Sequence, residues 1–274
     1  MRAKKRIVRK ICDSLQQMPC NNQLKKLNFV AFLIVCLHII YCLPSVVYVT
    51  DLKGYGHGLE NEYLRILLTS LKLYIDFLSY PGLTCLVALF YCTSCLHCSK
   101  GIQNLTEEIN KFSDDSFTPT VQIGILKRKM KIDNALDEIQ GAFSTSSFLV
   151  IASGFLSFSH MIGYMLIIDK EDDYTGPAIF TITIRVITSC SSMIGTLWTA
   201  GGIPVDLNRL KESFYRKAHS RYITHQVEEL HIKRELLEKP DFVLSGCDIV
   251  SYRRGSILVV ADGVLSKELN SLQE

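Results

Sequence analysis

The stretch ILKRKMKIDNALDEIQGAFSTSSFLVIASGFLSFSHMIGYMLII, residues 125–168, joins two kinds of helix. In its first half Ile125, Ile132, Leu136, Ile139 and Phe143 recur at steps of seven, four, three and four. That spacing keeps them on one helix face. Lys127, Arg128, Lys129 and Lys131 read as the opposite, solvated face. The first half runs straight into residues 148–168, which are predominantly apolar. A helix over that run would be about 30 Å long, the thickness of a bilayer core. The sequence therefore predicts a helix that is amphipathic at its start and membrane-spanning at its end.

The rest of the chain repeats this alternation. Of 274 residues, 48% are hydrophobic and 21% charged, and the apolar residues fall in blocks too long for core helices of a soluble domain. Four more blocks are expected to span. They are 29–49, then 73–96 with Pro81-Gly82 as a weak point, then 178–200, and finally 256–274. The run at 29–49 is longer than the apolar part of a signal peptide and lacks an evident cleavage site, so it reads as a retained anchor. Between the blocks lie polar segments. Residues 105–118 read as loop. Beyond Gly201-Gly202-Ile203-Pro204, a helical extension is expected through Leu207, Leu210, Phe214 and Ala218, continuing through Ile223, Val227 and Leu230.

Charge orients these segments. Segments 1–27, 97–147 and 205–254 hold eight, six and ten Lys/Arg, whereas 50–72 and 169–177 hold three and one. Cations mark the cytoplasmic side. The expected fold is an all-α, polytopic transmembrane helix bundle of about five spans, with the N-terminus cytoplasmic and the C-terminus extracellular. It divides into a basic cytoplasmic N-terminus at 1–27 and a four-span, ligand-binding type of bundle at 28–204. A cytoplasmic helix lies at 120–147 within that bundle. A cytoplasmic helical anchor at 205–254 and a last, pore-type helix at 255–274 complete the chain. Asn104-Leu105-Thr106 is a glycosylation pattern that this topology leaves on the cytoplasmic side, where it is not used.

Several chemistries find no support in the residues. The ten cysteines lie mostly inside apolar runs and form no framework of paired extracellular thiols. Cys92, Cys95, His97 and Cys98 lack the second knuckle of a structural zinc site. Palmitoylation of Cys95 or Cys98 and ordinary packing at a helix end are the alternatives there. No phosphate-binding glycine loop or hydrolase motif is present, and the basic clusters read as juxtamembrane cations rather than a nucleic-acid surface. No enzymatic activity, catalytic residue, metal or cofactor is expected, and no nucleic acid is expected as a partner.

Ionisable groups inside the spans are the candidates for function, because such groups usually face a bundle interior or water. With the expected topology, Asp76 lies roughly 5 Å, Arg185 roughly 10 Å and His160 roughly 12 Å inside the outer boundary, at 1.5 Å per residue. Tyr80, Ser157, Tyr164, Thr181 and Thr183 lie at similar depths. One reading is an outward-facing ligand pocket built from Asp76, Tyr80, His160, Tyr164 and Arg185. The other is a structural Asp–Arg pair beside a satisfied histidine.

The last apolar stretch has its own polar stripe. Asp262, Ser266, Asn270 and Gln273 follow at steps of four, four and three and share a helix face. In lipid such a stripe must face protein or water. Either it lines a pore, or the span stops near Leu265 and the remainder is a tail.

From about Leu126 onward the layout resembles the arthropod gustatory-receptor family. There a cytoplasmic amphipathic helix enters one span, the next span continues into a long cytoplasmic helix, and a short connection such as Phe242-Val-Leu-Ser-Gly-Cys precedes the last span. The family's last span ends in Thr-Tyr, five residues and Gln-Phe. Here Ser266-Lys267, residues 268–272 and Gln273-Glu274 stand in those places, departing at Lys267 and Glu274. Relative to the family's seven spans the five here imply an N-terminally shortened chain. The resemblance implies a plasma-membrane, multi-pass, ligand-gated cation channel subunit that assembles as a homo- or hetero-tetramer in the lipid bilayer and detects small-molecule tastants. It places Asp262, Ser266, Asn270 and Gln273 along the pore. A degenerate receptor fragment without conduction and a small polytopic transporter are the alternatives.

Overall fold

The structure, a computed structural model, describes positions 63, 64, 67, 68, 71, 72 and 75 and residues 82–168, 176–225, 242–247 and 250–252. The expected spans at 29–49 and 256–274 lie outside these residues. The described chain is helical apart from one small hairpin. Helix α1 covers Leu83–Lys111, α2 covers Pro119–Ile168 and α3 covers Gly176–His225. Strands β1, Ser245–Gly246, and β2, Val250–Ser251, pair antiparallel. Among the described residues two helices are long and apolar enough to cross a membrane, Leu83–Lys111 and Pro119–Gly163.

The continuity expected at residue 148 is present: the amphipathic and apolar parts form one helix of 50 residues. Helix α3 is equally long and carries Pro204 in its interior. A proline there removes one backbone donor, so the bond it would have made to the carbonyl of Ala200 is missing. Leu207, Leu210, Phe214 and Ala218 continue the buried stripe beyond it, and that burial keeps the helix intact across the lost bond.

Two compact units draw on these same helices. The first unit includes Tyr91–Phe148 and Thr196–Glu274. Its core is three stripes at heptad-like spacing. Helix α1 gives Tyr91, Cys95, Cys98, Ile102, Leu105 and Ile109, and α2 gives Ile125, Ile132, Leu136, Ile139 and Phe143. Helix α3 gives Ala200, Ile203, Leu207, Leu210, Phe214 and Ala218. Steps of three and four place each set on one face, and three such faces close on one another. Each large side chain buried this way contributes about 1.5–3 kcal/mol.

Three expectations are corrected here. Residues 105–111 are helix, not loop, because Leu105 and Ile109 extend the α1 stripe into the core. Lys129 is not on the solvated face: it is buried, and its Nζ meets Asp133 Oδ2 at 2.6 Å one turn on. The pairing within the helix is what allows an ammonium between Ile125 and Ile132. Ile223 is 66% exposed and takes no part in the α3 stripe, and Val227 and Leu230 lie outside the described residues.

The connection from α1 to α2 is pinned to α3. Asp114 accepts from Lys217 Nζ at 3.0 Å and from Ser220 Oγ, and Arg221 donates to the Phe117 carbonyl. The hydrogen bonds from Ser220 and then Lys217 hold the Asp114 carboxyl below its ordinary value. Phe117 itself fills the core edge-on against Phe214, with ring centres 5.4 Å apart. The bidentate Arg128–Glu108 pair, at 2.7 Å, is half in solvent and contributes little by comparison.

The second unit includes Leu149–Gly195 and the part of α1 before Tyr91. Here α2 and α3 meet through small and hydroxyl side chains. A Cβ placed on Gly154 would lie 2.9 Å from Met193 Cβ. Ser157 Oγ donates to Ser189 Oγ at 3.2 Å, and Ser192 Oγ reaches Cys85 Sγ at 3.4 Å. Close approach through small residues is the usual means of helix association where lipid removes the hydrophobic driving force.

Candidate functional site

In the second unit α2 and α3 part to leave an open cleft of about 220 Å³. Leu156, Ser157 and His160 line it from α2, and Ile182, Arg185 and Val186 from α3. Each trio fits within little more than one helical turn, so the three side chains share a face. The wall is apolar on both helices, with Ser157, His160 and Arg185 as its polar groups. Among the described residues Arg185 brings the one permanent charge to the cleft, and His160 brings an imidazole from the facing helix.

Arg185 occupies a costly position. Its Nε is buried and has no hydrogen-bond partner. Among the described residues it makes no ion pair with a carboxylate. The expected span at 178–200 is not among the two described helices long and apolar enough to cross a membrane, and a buried donor without a partner is costly in any apolar surrounding, a cost that falls when the group reaches water or an anion.

The cleft brings together two of the five residues expected to bind ligand, His160 and Arg185, and adds Ser157 from the same depth. Asp76 and Tyr80 lie outside the described residues. So does the side chain of Tyr164, whose backbone belongs to α2. The pore-type stripe of Asp262, Ser266, Asn270 and Gln273 is likewise outside. Leu156, Ile182 and Val186 escaped the sequence reading. Apolar residues in an apolar run carry no signal of their own, although their spacing from His160 and Arg185 would have marked them.

The cysteine-rich end of the second expected span is occupied by packing. Cys95 and Cys98 are fully buried in the core of the first unit, which leaves neither of these two thiols accessible to an acyl chain. Among the described residues no group of three or more His, Cys, Asp or Glu is arranged to hold a metal ion.

A second constellation was not visible in the sequence. Gln140, Ser144 and Ser147, at steps of four and three on α2, grip the β1–β2 hairpin. Gln140 Nε2 donates to the Ser245 carbonyl at 2.9 Å, and its Oε1 accepts from the Ser245 N–H at 3.0 Å. The glutamine amide thus acts as a strand partner for one residue. Ser144 Oγ accepts from the Cys247 N–H at 2.8 Å, and Ser147 Oγ and Tyr252 Oη are hydrogen-bonded at 2.9 Å. Cys247 sits at a φ of 51°, a left-handed conformation that the Ser144 contact helps to hold. Burial, opposed by the bond to Ser147, pushes the Tyr252 hydroxyl above its ordinary value. A side chain at Gly246 would collide with Tyr252 and lie 3.0 Å from Phe148 Cβ, so only glycine lets the hairpin sit this close to α2.

A third polar group lies between α1 and α3. Asp206 is buried and accepts from Ser99 Oγ and from Gln103 Nε2, the latter at 3.2 Å. Two donors satisfy a carboxylate that would otherwise be expensive in the core.

No protein-family model matches the chain, and no curated protein matches it.

Proposed function

We propose that this chain is a multi-pass plasma-membrane receptor of the gustatory kind, a subunit of a ligand-gated cation channel that detects small-molecule tastants. The observation that carries the reading is the cleft holding Arg185 and His160 in the apolar part of α2 and α3. An arginine in the outer part of an expected span, beside an open cleft, fits a ligand site better than a structural pair. The helix lengths agree. At 50 residues α2 and α3 are each about 75 Å long, more than twice a bilayer core, so each leaves a long polar part outside the membrane.

In this reading the chain crosses five times from a cytoplasmic N-terminus to an extracellular C-terminus, and the pocket opens outward. Four subunits assemble, and their last helices meet at the pore axis with Asp262, Ser266, Asn270 and Gln273 facing water. Ligand in the cleft changes the separation of α2 and α3. The hairpin held by Gln140, Ser144 and Ser147 precedes the last helix in the chain and is the coupling element. The chain expressed alone in a cell line is expected to give ligand-evoked cation currents to some members of a tastant panel, and Arg185→Gln to remove them. Absence of any current, with the protein shown to be at the cell surface, would sink the channel reading. Lys267 and Glu274, which depart from the resembling pattern, favour a non-conducting receptor fragment as the second reading.

A further inference from the structure

We infer that the cleft binds a small organic acid through its carboxylate, with Arg185 as the anchor. The inference rests on the cleft being a ligand site. It adds the chemical class of the ligand, which that reading leaves open.

The lining decides the class. Leu156, Ile182 and Val186 form an apolar wall, and among the described residues no carboxylate faces the cleft. Among the described residues the one permanent charge there is a guanidinium whose Nε is buried and unpartnered. A cationic ligand would be repelled. A neutral polyol would bring acceptors but leave the charge uncompensated. A carboxylate supplies both the opposite charge and a pair of oxygens that match the planar fork of donors. His160, across the cleft on α2, adds a ring nitrogen that can donate to the same group.

The apolar wall and the volume narrow the class further. An inorganic anion would satisfy Arg185 and leave Leu156, Ile182 and Val186 uncovered, whereas an acid with a short hydrocarbon or aromatic body covers them. At about 220 Å³ the cleft falls below the 300–1,000 Å³ typical of pockets for drug-sized ligands. A small monocarboxylic acid fits this description.

The test uses the full chain in nanodiscs of zwitterionic lipid, with radiolabelled benzoate and hexanoate as probes. Saturable binding of at least one acid is expected, and the matching uncharged amide should compete about tenfold or more less well, the loss of one charge-assisted contact. Arg185→Gln is expected to abolish binding. Arg185→Lys keeps the charge without the fork and is expected to retain part of it, which separates loss of the anchor from loss of the fold. No saturable binding of either acid, equal competition by acid and amide, or unchanged binding in Arg185→Gln each overturns the inference. So does displacement of the acid by anionic lipid added to the nanodisc but not by free phosphate, which would assign the guanidinium to a lipid headgroup. The two levels fail separately. Currents evoked by neutral tastants alone would leave the receptor standing and remove the carboxylate. Acid binding through Arg185 without any current would do the reverse.

Discussion

Gly154 sets how closely α2 and α3 approach in the second unit. In a helix interior, replacing glycine by alanine gains up to about 1 kcal/mol of intrinsic propensity. Here the new methyl would meet Met193 Cβ at 2.9 Å, a backbone-anchored atom that cannot swing aside as a side-chain tip can. Overpacking of this kind costs about 1–3 kcal/mol, which outweighs the gain. Gly163, on the same helix, has nothing within 4 Å of the same position. Gly154→Ala is therefore expected to lower the thermal unfolding midpoint in detergent, and Gly163→Ala to leave it unchanged or raise it. Equal behaviour of the two would mean that the helices do not meet at Gly154. Arg185 is the contrasting residue. Its cost is one of solvation rather than of space, and the fold alone gives no reason to keep it there.

At the scale of elements, legibility follows periodicity. The stripe from Ile125 to Phe143 and the one from Leu207 to Ala218 could be read because three-four spacing in polar surroundings has one cheap explanation. Beyond Asn104 the α1 stripe is hard to see in the sequence because Thr106, Glu107, Glu108 and Asn110 disguise Leu105 and Ile109, whose spacing continues the pattern. The charge of Lys129 hides its place on the buried stripe, although it lies four residues after Ile125. His160 and Arg185 were legible as charges at unusual depth, but their meeting in one cleft depends on how α2 and α3 pair, which no local pattern specifies. The hairpin is the extreme case. Two strands of two residues carry no period, and their position depends on a glutamine 105 positions away. Gln140 makes bonds to both the N–H and C=O of Ser245, and each is worth about 1 kcal/mol. Gln140→Ala should open the hairpin more often and raise the maleimide labelling rate of Cys247 by about tenfold, read residue by residue by mass spectrometry. Cys95 and Cys98, buried in the helical core, should not change. If Cys247 reacts no faster, the hairpin is held by Tyr252 and Gly246 rather than by the glutamine.

For the molecule as a whole, the side of the membrane that each polar segment faces decides whether the cleft opens outward. The segments at 97–147 and 205–254 carry six and ten Lys/Arg and the connection at 169–177 carries one. Cation bias fixes orientation because cytoplasmic loops retain Lys and Arg. The packing supports grouping the first two together. Asp114, in the first, is bonded to Lys217 and Ser220, and Gln140, also in the first, to Ser245 in the second. Two segments joined this way must share a compartment, whichever compartment it is. That constraint is independent of charge, and it makes the orientation a single binary choice. A cysteine replacing the exposed Asn110 and, separately, one replacing Lys170 decide it against the background of the native thiols. An impermeant maleimide applied to intact cells is expected to label Lys170→Cys at once and Asn110→Cys only after permeabilisation. The reverse pattern would invert the molecule and put Asn104 where glycosylation can reach it. It would also turn the cleft toward the cytoplasm, and a receptor for external tastants would then have to be given up. Labelling of both in intact cells would mean that α2 does not cross the membrane between them, and the multi-pass fold itself would fail.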